Sequence, residues 1–438
     1  RSEHVVSLQG NKGYEWLSLF VNSRAATSAS LPLLLQGNSV TGRVELDFQK
    51  ETIKAIVISV RLSILNLDKL LMCSNVLAGT TAVGQEESRF LQIDNQLWPP
   101  STPNTKGPSP QKIKGRHSGS FNMALPTTVP VTEPNGRHGQ YPLPPFFSER
   151  ASPVYIDYRV KVVVKRGMFK VDQPLTLSFG YLPVAYPEAP SALRRMAYNE
   201  GSLLFGPEGD PEGWKVCETV KEKGTLFSDA QVCCESKLAI ATPLCYAIGT
   251  PIPIEITLRS SDKQALDLLT TPEALRVHLV RSMTTGSDAM DDDAPRRSNS
   301  HFLESVGDAY FWIQLELKLK GNLDGAPQEG GKGGRLLRGE IEVQKTSKPS
   351  FKFPRFTMRF MIQMLPLKAS GFTPATSSDK TFVPEEPLIR VPVTVITRQA
   401  PGVKTRSYAL PGYEKRQGGD YNKSMGFMEN GNQRCFHH

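Results

Sequence analysis

Cysteine is scarce in this chain of 438 residues: there are six, at positions 73, 217, 233, 234, 245 and 435. None falls in a Cys-x-x-Cys spacing, which removes the commonest zinc sites. The vicinal pair Cys233-Cys234 cannot close an ordinary disulfide without strain. The sequence therefore predicts free thiols and a reducing, cytosolic compartment. Seven scattered histidines assemble no metal set. Long apolar runs are missing as well. A helix needs about 20 apolar residues to cross a bilayer, and the longest run, residues 55–67, is broken by Ser59, Arg61 and Ser63. The opening Arg1-Ser2-Glu3-His4 is neither an initiator methionine nor a signal peptide, and is read as the start of a trimmed chain.

Catalytic signatures are also lacking. In Gly115-Arg116-His117-Ser118-Gly119 the serine stands one place late for a nucleophile elbow. Gly330-Gly331-Lys332-Gly333 has no serine or threonine after its lysine and precedes a strand pattern, not a helix, so it is no phosphate loop. His278 alternates with apolar neighbours and reads as a hydrogen-bonded sheet residue. With no nucleophile–base pair and no ligand set, the expectation is a non-enzyme without cofactor or metal. The net charge of +9 is spread along the chain rather than clustered. It fits either contact with anionic lipid or acidic tails, or a mildly basic surface with no dedicated partner. No basic helix and no aromatic run points to nucleic acid.

What the chain does have is strands. Its 34 prolines and 35 glycines indicate many turns, and its length suits two domains of about 150–200 residues. Apolar and polar residues alternate at residues 40–48, 56–64, 156–164 and 311–320, the period of half-buried strands. One pattern occurs twice. Gly37 is followed by Val40, Val44 and Leu46; Gly249 is followed, at the same offsets, by Ile252, Ile256 and Leu258.

Further strands are predicted near residues 90–97, 120–126 and 175–184, and in the second half at 252–258, 277–280, 336–343, 356–365 and 388–397, with one short helical turn at 264–269. Residues 99–118 and 127–150 read as proline-rich connections. Residues 284–300 and 321–334 read as solvated hairpin tips. The first tip carries Asp288, Asp291, Asp292 and Asp293 before Arg296-Arg297-Ser298-Asn299-Ser300. Ser298 and Ser300 are candidate phosphorylation sites, where a phosphate would change the local charge by nearly two units; the alternative is a solvated loop with no switch.

The ordered series of these features resembles the arrestin family, and within it the arrestin-related trafficking adaptors of fungi and animals. In the first half the likeness rests on residues 37–46 and 56–62, on Ser120-Phe121-Asn122-Met123-Ala124-Leu125-Pro126, and on Val154-Tyr155-Ile156-Asp157-Tyr158-Arg159-Val160-Lys161-Val162 running to Lys165-Arg166-Gly167. In the second half it rests on Leu244-Cys245-Tyr246 leading to Gly249, on residues 252–258, 275–279 and 354–365, and on Leu388-Ile389-Arg390-Val391-Pro392-Val393. The connection at residues 181–214 is similar to that of fungal members. The resemblance implies an all-β fold of two tandem antiparallel immunoglobulin-like sandwiches: an N-terminal one over residues 1–185, a linker at 186–215, a C-terminal one over 216–398, and a disordered tail at 399–438.

It also implies a non-enzymatic adaptor. Such proteins bind cytosolic segments of membrane transporters or receptors and recruit a HECT-type ubiquitin ligase through its WW domains, so that cargo is ubiquitinated and internalised. The expected location is the cytoplasm, with peripheral recruitment to the plasma membrane or endosomes. The tail carries Leu410-Pro411-Gly412-Tyr413, an LPxY variant of the ligase-binding PPxY motif. Pro411 presets a polyproline-II backbone for an aromatic groove, Leu410 adds apolar contact, and Tyr413 fills a second pocket. The polar-core residues that lock visual and β-arrestins have no position-by-position match here. The alternative reading is an arrestin-fold signalling or coat scaffold that works without a ligase, in which Tyr413 is incidental.

Overall fold

The computed structural model describes residues 2–10, 13–66, 86–99, 111–133, 136–149, 152, 154–166, 172–291, 301–313, 333–375 and 386–409. It is an all-β sandwich protein built mainly from antiparallel sheets, with short helices. Two compact units divide the chain. The first is Arg1–Val184 together with Phe353–Phe356; the second is Ala185–Lys352 and Thr357–His438.

The first 184 residues carry β1 (Ser2–Gln9), β2 (Glu15–Ser23), β3 (Leu33–Leu35), β4 (Ser39–Asn66), β5 (Glu86–Trp98), β6 (Gln111–Ala124), β7 (Thr128–Thr132), β8 (His138–Pro142), β9 (Val154–Arg166) and β10 (Gln173–Leu182). The remainder carries the helix α1 (Ala192–Glu200), β11 (Trp214–Val216), β12 (Val220–Leu226), β13 (Ala230–Ala241), β14 (Cys245–Ala247), β15 (Pro251–Ser260) and the helix α2 (Lys263–Leu269). There follow β16 (Val277–Gly286), β17 (His301–Asp308), β18 (Tyr310–Ile313), β19 (Gly333–Glu342), β20 (Phe351–Phe353), β21 (Arg355–Met364), β22 (Phe372–Pro374) and β23 (Ile389–Ile396).

The sequence repeat is a repeat of topology. Gly37 and Gly249 both take a left-handed backbone, with φ of 82° and 79°, which glycine alone adopts without a Cβ penalty. In each case a three-residue strand ends two residues earlier and pairs in parallel with the last strand of its unit: β3 with β10, β14 with β23. The six repeat positions Val40, Val44, Leu46, Ile252, Ile256 and Leu258 are all buried.

Strand order agrees as well. The first half of β4 lies between β2 and β6, as β15 lies between β13 and β19. The second half of β4 lies between β5 and β9, and the path runs on through β10 to β3. In the second unit the matching path is β17-β16-β21-β23-β14. Strand β4 thus does in one 28-residue run what β15 and β16 do separately. Its neighbour β9 is the most regular strand, with Val154, Ile156, Tyr158, Val160, Val162 and Val164 all buried. This is the inward face that period-two alternation selects.

Several expectations need correction. Residues 99–118 are not a loop throughout, because β6 starts at Gln111. Its residues from Gly115 to Ser120 are half-buried or exposed in alternation, none fully buried; backbone pairing with β4 holds this stretch, and the apolar face begins only at Phe121 and Met123. Residues 127–150 contain the β7–β8 hairpin. Val129 and Val131 point inward, and Pro130 sits on the exposed face between them. Residues 284–286 continue β16, with Thr284 and Thr285 buried, and Ala289 is buried in the 3-10 turn Ser287–Met290 that follows. The helical turn foreseen at 264–269 is α2, capped by Asp262, whose Oδ1 accepts from the Ala265 N–H at 2.8 Å. His278 holds Asp308 through Nδ1 at 2.7 Å. Residues 314–320 of the foreseen strand and 321–332 of the second tip lie outside the described residues.

Candidate functional site

Leu410, Pro411, Tyr413, Ser298 and Ser300 all lie outside the described residues. The described chain does reach Ala409, and what holds it there defines the candidate site. All the residues below belong to the second unit.

The connection at 186–215 is built rather than loose. Ser191 caps α1, its Oγ accepting from the Arg194 N–H at 3.2 Å and donating to Asp210. Gly201 closes the helix with φ of 74° and donates to the Ala197 carbonyl. The capped helix aims Arg194 inward, where it is 4% exposed. Its guanidinium donates to the carbonyls of Thr242, at 2.6 Å, and Gly213, and its Cζ lies 4.9 Å from the Trp214 ring centroid. Burial pushes the Arg194 guanidinium below its ordinary value, offset by Tyr198 and Asp210. Trp214 is fixed at its far edge, where Nε1 donates to the Phe205 carbonyl at 2.9 Å. Burial raises Tyr198 to about 12, so its hydroxyl stays protonated at neutral pH.

After β23 the strand pattern ends, but the chain does not leave the unit. Residues 399–409 form a strap. Ala400 is buried, and the Arg398 N–H donates to the Ala185 carbonyl at 3.2 Å. The Arg406 guanidinium lies where a side chain on Gly201 would point, against the C-terminal end of α1. A cation is favoured there by the helix dipole. Glu340, on β19, is 9% exposed and receives two donors from the strap: Ser407 Oγ on Oε1, and the Tyr408 N–H on Oε2 at 3.0 Å. The Tyr408 hydroxyl donates to the Ser202 carbonyl at 2.9 Å, and its ring stacks on Tyr198 with centroids 6.4 Å apart.

Two cavities adjoin the strap. One, of about 150 Å³, is walled by Leu203, Trp214, Ile254, Trp312, Glu340 and Tyr408. A smaller one of about 50 Å³ is walled by Pro187, Pro190, Tyr246, Pro253, Ala400 and Val403. The larger is edged by Arg338, which pairs with Glu255 at 3.4 Å. Burial raises the Glu255 carboxyl, and Arg338 opposes that shift. Such a site is suited to gripping an extended segment: aromatic faces for its side chains and a buried carboxylate for its N–H and hydroxyl groups.

Sequence reasoning missed Arg194, Glu340, Ser407 and Tyr408. Only the Ser191-x-x-Arg194 start of α1, beside Pro190, offered a signal, as a helix N-terminus. A search against protein-family models finds no match, and neither does a search of curated proteins. No helix among the described residues is long and apolar enough to cross a membrane.

Proposed function

We propose that the chain is a non-enzymatic adaptor with two arrestin-type sandwiches. In this reading it joins the cytosolic segments of membrane transporters or receptors to the WW domains of a HECT-type ubiquitin ligase, for ubiquitin-dependent endocytosis and trafficking. The observation that carries it is the strap: residues 399–409 lie on the second unit and lead directly into Leu410-Pro411-Gly412-Tyr413. A folded platform for one partner and an adjoining short linear motif for another is the layout an adaptor needs. The repeated strand order of the two units is what a chain of two arrestin-type sandwiches would have.

The sandwiches meet cargo, and the protein works in the cytoplasm with peripheral recruitment to membranes. Leu410, Pro411 and Tyr413 grip the ligase, with Pro411 supplying a low-entropy polyproline-II backbone.

The test is binding of a 400–420 peptide to isolated WW domains, wild type beside Tyr413→Ala. Micromolar binding that disappears in the variant is expected. Equal binding, or none by either peptide, overturns the ligase link and leaves the scaffold reading.

A further inference from the structure

We propose that Ser407 is a phosphorylation site whose modification unfastens the strap from Glu340. The inference does not depend on what Leu410-Pro411-Gly412-Tyr413 binds.

Ser407 is exposed, yet its hydroxyl donates to a carboxylate that is itself buried. That pairing is sensitive to charge. A neutral hydroxyl satisfies Glu340 Oε1, whereas a phosphate, carrying about −1.5 to −2 charges and chiefly acceptor oxygens at neutral pH, repels it. It would stand against a carboxylate with little water to screen it. The adjoining contacts would be lost together. The Tyr408 N–H reaches Oε2 of the same carboxylate, and the Tyr408 ring and hydroxyl hold Tyr198 and Ser202.

Access is also present. Lys404 and Arg406, three and one residues before Ser407, are exposed and present the basic charge that a kinase with an acidic substrate groove reads. In the reaction the Ser407 oxygen attacks the terminal phosphorus of ATP held by such a kinase. The new oxygen–phosphorus bond forms as the bond to ADP breaks, and the hydroxyl proton passes to the kinase base and then to solvent.

Two cations could reverse the effect by capturing the phosphate. Arg338 is occupied by Glu255. Arg406 lies against the end of α1, and its capture of the phosphate would tighten the strap instead.

The experiment is limited trypsin digestion of the full chain, following cleavage after Lys404 by mass spectrometry, because residue 407 itself forms the bond after Arg406. Ser407→Glu is expected to speed cleavage at this bond at least tenfold, and Ser407→Ala by no more than about threefold. Adding Glu340→Gln to Ser407→Glu should restore much of the protection, because the opposing charge is gone. Phosphorylation of the purified chain by a basophilic kinase should reproduce the Ser407→Glu pattern. Unchanged or slower cleavage in Ser407→Glu overturns the proposal. So does equal acceleration in Ser407→Ala, which would assign the latch to the hydrogen bond alone.

Discussion

Glu222, on β12, shows at the scale of a single residue how a buried charge shapes stability. Its Oε1 accepts the Leu367 N–H at 3.0 Å, while Oε2 is buried with no hydrogen-bond partner among the described residues. Burial raises its carboxyl from the ordinary 4.5 to about 7, against opposition from that N–H and from Arg276. Between those two values the native state holds a proton that the unfolded chain has released. Stability therefore falls as pH rises through this window and stays lower above it. Glu222→Gln keeps an acceptor for Leu367 and removes the ionisation. It should raise stability at pH 8 by about 1–3 kcal/mol and leave it nearly unchanged at pH 4.5. Urea unfolding at the two pH values checks this, and a gain of equal size at both would refute it. The buried thiol of Cys234 illustrates the same physics: burial, with Glu222 nearby, raises it to about 12, which leaves it a poor nucleophile.

Among elements, α1 is the one that turns a stretch of prolines and glycines into architecture. Arg194→Ala would take the side-chain donor from the Thr242 carbonyl, leave the Gly213 carbonyl with the Thr242 N–H alone, and empty the space beside Trp214. The expected loss is about 2–4 kcal/mol, read as a lower denaturant midpoint with an unchanged slope. A midpoint shift below a few tenths of that size would show that the guanidinium is replaceable. The contrast between α1 and β9 also shows what a sequence makes legible. Strand β9 announces itself because one face is apolar at every second position. The repeat at Gly37 and Gly249 is legible because a left-handed turn demands glycine and the following core positions demand apolar residues at fixed offsets. The first part of β6, up to Gly119, is silent because its pairing is made by backbone groups, which every sequence carries; its end, where Phe121 and Met123 are buried, is legible. The strap is silent for a related reason: it is held by one arginine, one serine, one tyrosine and backbone donors, against a glutamate that lies far away in sequence. Nothing local marks such a partner.

For the molecule as a whole, the two units are not two contiguous pieces of chain. Phe353–Phe356 belong to the first unit although they follow most of the second. Phe353 packs edge-on to Phe90, with ring centroids 5.1 Å apart, and lies 6.1 Å from Tyr141; Phe356 lies 4.9 Å from Phe147. Both phenylalanines are fully buried. Phe353→Ala in the full chain should destabilise the first unit by about 3–5 kcal/mol. The check is amide hydrogen exchange, which should accelerate in β5 and β8. Unchanged exchange there would mean that the four residues are passengers.

A ribosome emits this chain from one end only, at about 5–20 residues per second. When residue 182 has appeared, β3 can pair with β10, but the aromatic surface around Phe90, Tyr141 and Phe147 still waits for residues not yet made. The first unit emerges early and is finished late. During that interval its apolar face is open to whatever else is in the cell.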